Sequence, residues 1–163
     1  MTINDPEFTI IIDTREQQPW SFDHYTVANK KLDAGDYSIE GLEEVLSIER
    51  KKSVNEIANN IVESRFKDAI ARLAQHKYSF LLLEFDIGDV LQYPIGSSLP
   101  KRLWDKVKIK PAFIMKHILD WQVKHNIKVI FCGNSSDAEK VAEYILKKVH
   151  YLEVTKKEKE KES

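Results

Sequence analysis

The sequence predicts an α/β fold, a central mixed sheet flanked by helices. Three observations predict it. Short apolar, β-branched runs at 8–13, 78–85 and 128–132 have the length of buried strands. Two further segments, 36–39 and 45–50, flank a Gly-containing turn at 40–44 and read as an antiparallel pair. Around these strands, apolar residues recur at helical spacing.

The elements follow in order. The strand at 8–13 stops at Asp13, and Gln17-Gln18-Pro19-Trp20 closes it off. Lys31-Leu32 leads into Ala34-Gly35-Asp36, a turn or bulge. Side chains alternate along a strand, so Ser47, Glu49 and Lys51 share one face, with Ile48 and Arg50 on the other. Ser53-Val54-Asn55-Glu56 is a helix capping box, Ser53 at the N-cap and Glu56 at N3. The helix it opens turns Ile57 and Ile61 inward. Phe66, Ile70 and Leu73 continue that stripe to about Gln75, with a bend near Ser64. Residues 86–100, rich in Gly, Ser and Pro, read as a loop, and 103–107 fit no single pattern. A helix over 112–124 offers Phe113, Ile114, Ile118 and Trp121 to the core. Gly133-Asn134-Ser135 turns the chain into a last helix, 136–150. Lysine and glutamate then alternate without apolar anchors. Residues 1–150 are therefore read as one domain and 151–163 as a charged, disordered tail.

The 163 residues suit one domain with a substantial core. The formal net charge is −1, which argues against a module that binds nucleic acid by overall charge. Any nucleic acid is expected on a local basic surface, helped by metal ions among carboxylates. Cys132 is the only cysteine, so neither an intrachain disulfide nor a Cys-based zinc site can form. Its apolar run, Val129-Ile130-Phe131-Cys132, points to a buried thiol. Met1-Thr2-Ile3-Asn4-Asp5 is not a basic-then-apolar leader, and no run approaches the length of a membrane span. An intracellular, soluble protein without a membrane partner is expected: cytoplasmic in a bacterium or phage-infected host, nuclear in a eukaryote. The five histidines lack metal-site spacing and receive no role.

The chemistry concentrates in Asp36 and Glu49-Arg50-Lys51. Two carboxylates can hold a divalent cation, and an ammonium two residues on can steer a water or offset charge on a phosphate. Asp13-Thr14-Arg15-Glu16 lies upstream, with Asp13 where an apolar strand ends. The pattern suits metal-assisted phosphodiester hydrolysis.

The motifs Ile12-Asp13-Thr14-Arg15-Glu16, Leu32-Asp33-Ala34-Gly35-Asp36-Tyr37, Ile48-Glu49-Arg50-Lys51 and Ser64-Arg65-Phe66, in this order, resemble the nuclease domain of the XPF family of structure-specific endonucleases. Leu81-Leu82-Leu83-Glu84 is similar to the family's apolar strand ending in Glu. The likeness is close over residues 9–84. It implies a restriction-endonuclease-like core of the PD-(D/E)XK type that cuts branched, flapped or forked DNA in repair or recombination. It implies magnesium or manganese as cofactor. Metal ligands would be Asp36, Glu49 and Asp13, with Lys51 completing the catalytic set. Arg15, Arg50 and Arg65 would meet DNA. The chain departs from the family at Asn55, where an Asp is usual. An amide brings no charge, so Asn55→Asp is expected to lower the metal requirement. No segment after residue 149 could be the tandem helix-hairpin-helix domain of many members, so a homodimer or a partner subunit is expected to supply DNA binding.

Several residues keep two readings. Arg15 and Arg50 either clamp phosphate or buttress the carboxylates. Arg65 touches DNA or bridges Glu63 or Asp68. Glu16 supports the site or pairs with a nearby cation, Glu56 caps its helix, and Glu84 stands behind the site. Lys101, Arg102, Lys106, Lys108, Lys110 and Lys116 either track a DNA backbone or form a solvated face. Trp104 among them is read as core. Rivals to the endonuclease are a cleavage-incompetent scaffold subunit, and an exonuclease or restriction-type enzyme on the same core.

Overall fold

A computed structural model describes residues 7–162. Six strands form one sheet: β1 (Thr9–Ile12), β2 (Thr26–Asn29), β3 (Tyr37–Ile39), β4 (Leu46–Lys51), β5 (Tyr78–Leu83) and β6 (Lys128–Phe131). The spatial order is β2-β1-β3-β4-β5-β6. β1 runs parallel to β2 and antiparallel to β3, β3 runs antiparallel to β4, and β4, β5 and β6 are parallel. The sheet is mixed, as the sequence predicts. β2 is an edge strand that the sequence reading passes over. Its residues are mostly exposed, so Thr26-Val27-Ala28-Asn29 carries no alternation to read.

Alternation along the central strands divides the interior in two. Ile10, Ile12, Tyr37, Leu46, Ile48 and Leu82 face one core, closed by Ala138, Ala142, Leu146 and Val149. These four come from α5 (Ser135–Glu162). Leu81 and Leu83 face the other core, with Ile57, Phe66, Ile70, Ile118 and Trp121. They lie on α1 (Val54–Ile61), α2 (Ser64–Leu73) and α4 (Pro111–Val123). Each fully buried Leu or Ile here contributes about 1.5–3 kcal/mol by leaving water.

Differences from the sequence reading have local causes. The helix expected to bend near Ser64 is two helices, because Glu63 is extended (φ −98°, ψ 129°) and serves as the N-cap of α2. The 86–100 loop contains a short α3 (Ile87–Leu91). A reciprocal capping box between Asp86 and Asp89 closes it, a signal overlooked among the glycines and prolines. Lys101–Lys106 form a 3-10 helix. Phe113 is not core: it is 39% exposed and packs on the His117 ring. The last helix does not end at His150. α5 runs to Glu162, so the 151–163 segment read as a disordered tail is helical through Glu162. Glu153 ties that stretch to the sheet by accepting from Tyr78 Oη (3.5 Å) and pairing with Lys77 (3.6 Å). Beyond it, Lys and Glu three and four residues apart support the helix by roughly 0.2–0.5 kcal/mol per pair. Among the described residues, no helix is long and apolar enough to cross a membrane.

Candidate active site

Gly35 sets the geometry of the site. Its φ is +74°, in the left-handed region, and a Cβ there would collide with the Ser47 hydroxyl and come within 2.9 Å of the Ile48 carbonyl oxygen. A bare backbone lets the chain pass this close to β4. Three hydrogen bonds fix the approach. Asp36 N–H donates to the Ile48 carbonyl (2.7 Å), Asp13 N–H donates to the Asp36 carbonyl (2.9 Å), and Ser47 Oγ donates to the Ala34 carbonyl (2.8 Å).

Asp36 is thereby laid beside Glu49. Asp36 Oδ2 accepts the Arg50 backbone N–H at 2.8 Å, and Asp36 and Glu49 line the same cleft, close enough for each carboxyl charge to act on the other. Burial, and then the neighbouring Glu49 charge, push the Asp36 carboxyl well above its ordinary range. Two carboxylates pressed together in this way favour a proton or a cation between them. They open onto a cleft of about 210 Å³, lined also by Arg15, Lys51, Lys52 and Glu56.

Lys51 lies on the same face of β4 as Glu49, as alternation requires. Its Nζ donates to Asn60 Oδ1 (2.8 Å) and sits 4.8 Å over the Phe66 ring. Asn60 Nδ2 leans on Glu63 Oε1 (3.4 Å), which also engages Arg65 through Oε2 (2.9 Å). Sequence reasoning missed Asn60 as a support of the site, because no spacing rule links a strand lysine to a helix asparagine. Arg65 is 86% exposed on its side chain and makes the Glu63 bridge. Glu56 caps α1: its Oε1 accepts Lys52 N–H and its N–H donates to Ser53 Oγ.

Two of the expected site residues are held by partners of their own. Asp13 is buried, and its oxygens accept from Arg15 N–H (3.1 Å), Arg15 Nε (2.8 Å), Arg15 Nη2 (3.1 Å) and Leu32 N–H (2.8 Å). Burial works to raise its pKa, but Arg15 and these N–H groups outweigh it and hold the carboxyl below its usual value. Its lone pairs are committed to the loop, so Asp13 clamps residues 13–32. Arg50 takes the buttressing one of its two readings. Its side chain is 6% exposed. Nε donates to Glu84 (2.6 Å), Nη1 to the Gln18 carbonyl (2.8 Å) and Nη2 to Ser135 Oγ (3.2 Å). The guanidinium also lies 4.6 Å from the Trp20 ring, whose Nε1 donates to the same Glu84 (2.9 Å). Glu16 joins this network through Tyr37 Oη (3.0 Å). Arg15 lines the cleft with a side chain 63% exposed, anchored by Asp13 and the Leu32 carbonyl.

Asn55 does not face the carboxylates. Its Oδ1 accepts from Tyr93 Oη at 2.8 Å, in a neighbouring cleft. The Cys132 thiol is half-buried, and burial pushes its pKa up to about 11.

A mixed sheet whose central strand carries a Glu-x-Lys face beside a turn carboxylate defines a restriction-endonuclease-like fold. The Aeropyrum pernix XPF structure superimposes with a TM-score of 0.64 at 16% identity, over 93% of this chain and 69% of that one. XPF from Aeropyrum pernix in complex with DNA superimposes with a TM-score of 0.62 at 17% identity, over 88% and 65%. The ERCC4 domain model matches residues 12–145, and the chain belongs to the ERCC4 domain family. A curated relative, the 3'-flap repair endonuclease Xpf of Saccharolobus solfataricus, is 27% identical over 129 residues, 78% of this chain and 48% of the relative. The chain thus spans about half the length of that protein.

Proposed function

We propose that this chain is a divalent-metal-dependent endodeoxyribonuclease acting on branched, flapped or forked DNA. The observation that carries the reading is the contact of Asp36 with Glu49 in an open polar cleft, with Lys51 on the same strand face. The relative's printed activity on 3' flaps and the DNA complex of a structural neighbour support the substrate class.

The donor set fits magnesium or manganese. Both carboxylates offer hard oxygens, their mutual repulsion is relieved by a cation, and the open cleft leaves room for the waters such ions retain. A bound cation would polarise the scissile phosphate and lower the pKa of an attacking water. Asp36 and Glu49 would hold it. Lys51, kept in place by Asn60 and Phe66, sets an ammonium where charge develops on the phosphate. Arg15 offers its exposed guanidinium to a neighbouring phosphate. Arg50, Glu84 and Trp20 keep β4 rigid beneath the carboxylates.

The test is cleavage of a labelled panel of single-stranded, duplex, flap, fork and four-way-junction DNA with magnesium, manganese or EDTA. Metal-dependent cutting is expected, and Glu49→Gln should reduce it by about 100-fold or more while sparing DNA binding. Cutting by the purified variant at the wild-type rate removes Glu49 from the site.

A further inference from the structure

Residues 101–110 are Lys-Arg-Leu-Trp-Asp-Lys-Val-Lys-Ile-Lys, five cations against one anion in a chain whose net charge is −1. Local charge is therefore +4 (five minus one), and the remainder carries −5 (−1 minus +4). The arrangement of this charge is regular. Lys106, Lys108 and Lys110 are exposed while Val107 and Ile109 pack into the core beneath α1 and α4. The backbone is extended at Val107 (φ −71°, ψ 122°) and Lys110 (φ −101°, ψ 155°). Alternating residues of an extended chain lie about 6.6 Å apart, a spacing that suits Lys108 and Lys110, with Lys106 at the end of the 3-10 helix just before them. Among the described residues, none of the five cations has an acidic partner within ion-pair distance. A solvated face would intersperse both signs, as the Lys/Glu end of α5 does.

The loop that precedes the segment lines a cleft beside the catalytic one. Lys52 lines the catalytic cleft and this second one of about 180 Å³, which runs between the start of α1 and Ile95-Gly96-Ser97-Ser98. That loop leads straight into the 3-10 helix, which Trp104 anchors by donating Nε1–H to the Leu99 carbonyl (2.9 Å). We propose that the lysine ladder Lys106, Lys108 and Lys110 is a second DNA-contact surface, holding the phosphodiester backbone of a single strand that leaves the catalytic cleft past Lys52. The inference rests on DNA as the substrate. It assigns the contact to this domain itself.

The experiment is anisotropy of a labelled single-stranded oligonucleotide across a salt series in EDTA. It compares the full chain with Lys106→Ala/Lys108→Ala/Lys110→Ala, the corresponding triple Arg variant, and Lys140→Ala/Lys148→Ala/Lys157→Ala on exposed positions of α5. Loss of three phosphate contacts should flatten the slope of log affinity against log salt by about 2, at about 0.7 per contact on a single strand. The Arg variant should retain the slope, and the α5 triple should match wild type. An unchanged slope in the ladder triple, an equal loss in the α5 triple, or no binding by the unsubstituted chain would overturn the proposal. Cleavage by wild type and Glu49→Gln, run alongside, judges the catalytic reading separately. Loss of Glu49-dependent cutting with an intact slope effect would sink that reading and leave the ladder standing.

Discussion

Arg50→Met is the sharpest perturbation of the scaffold beneath the carboxylates. Methionine keeps much of the length and apolar volume of the side chain but removes every donor. The variant loses the 2.6 Å pair with Glu84, the bonds to Gln18 and Ser135, and the contact with the Trp20 ring. Glu84 is left buried, 6% exposed on its side chain, with the Trp20 Nε1–H as its remaining donor, and Glu16 loses its nearest cation. Breaking a buried pair by removing one partner costs about 3–5 kcal/mol, most of it the stranded charge. For a chain of this size that corresponds to a fall in Tm of about 6–20 °C. Urea denaturation followed by circular dichroism reads it directly. Arg50→Lys should fall short of full rescue, since one ammonium cannot serve Glu84, Gln18 and Ser135 together. Glu84→Leu added to Arg50→Met should recover part of the loss, because the buried Glu84 charge is then gone and only Glu16 lacks its cation. A loss below about 1 kcal/mol in Arg50→Met, or a double variant as weak as the sum of the singles, would refute the buttress argument.

Other expectations follow from the same geometry. Gly35→Ala should cost about 1–2 kcal/mol for the left-handed backbone alone, before the collision with Ser47, and should lower cleavage because Asp36 is displaced; a variant with unchanged melting and activity would show that Asp36 is not held by this turn. Asp36→Asn should abolish cleavage yet stabilise the metal-free protein at neutral pH. The folded-state pKa of Asp36 is raised, so its contribution is intact below the ordinary carboxylate range and is lost as pH rises through the raised value. Melting curves of variant and wild type in EDTA should therefore converge at acid pH, and a gap that widens on acidification contradicts the assignment. Asn55→Asp should leave the magnesium requirement unaltered, reversing the expectation from the family pattern. Its Oδ1 serves Tyr93 and not the carboxylate pair, and a titration of rate against magnesium would expose any shift.

Much of this site was legible in the sequence because it depends on short-range rules. Alternation put Glu49 and Lys51 on one face, and the capping box fixed the start of α1. Ala34-Gly35-Asp36 was readable as a turn or bulge, though not its close approach to β4. What was hidden depends on partners far along the chain. Arg50 and Glu84 are 34 residues apart, and alternation puts the arginine on the Ile48 face without naming Glu84, Trp20 and Ser135 as its partners. Asp13 stands at the end of an apolar strand, where a ligand is expected, and the pattern does not show that Arg15 and Leu32 claim its oxygens. The persistence of α5 beyond His150 escaped notice because Glu153, which anchors it there, is a polar residue buried against β5 and its neighbour Lys77.

The pairing of β4 with β5 has a consequence for how this protein can vary. Six consecutive partners, from Leu46 opposite Tyr78 to Lys51 opposite Leu83, hold the strand in parallel register. The side-chain period is two, so a slip of one residue would aim the Arg50 guanidinium into the cleft and drive the Glu49 carboxylate against α5. A single-residue insertion or deletion inside β4 thus exchanges the chemistry of the two faces at once. The turn at 40–44 lies outside that pairing, so an added residue there leaves the register intact provided Leu42 keeps its place in the core. Over evolutionary time, insertions should accumulate on the approach to β4 while the strand itself admits substitutions only.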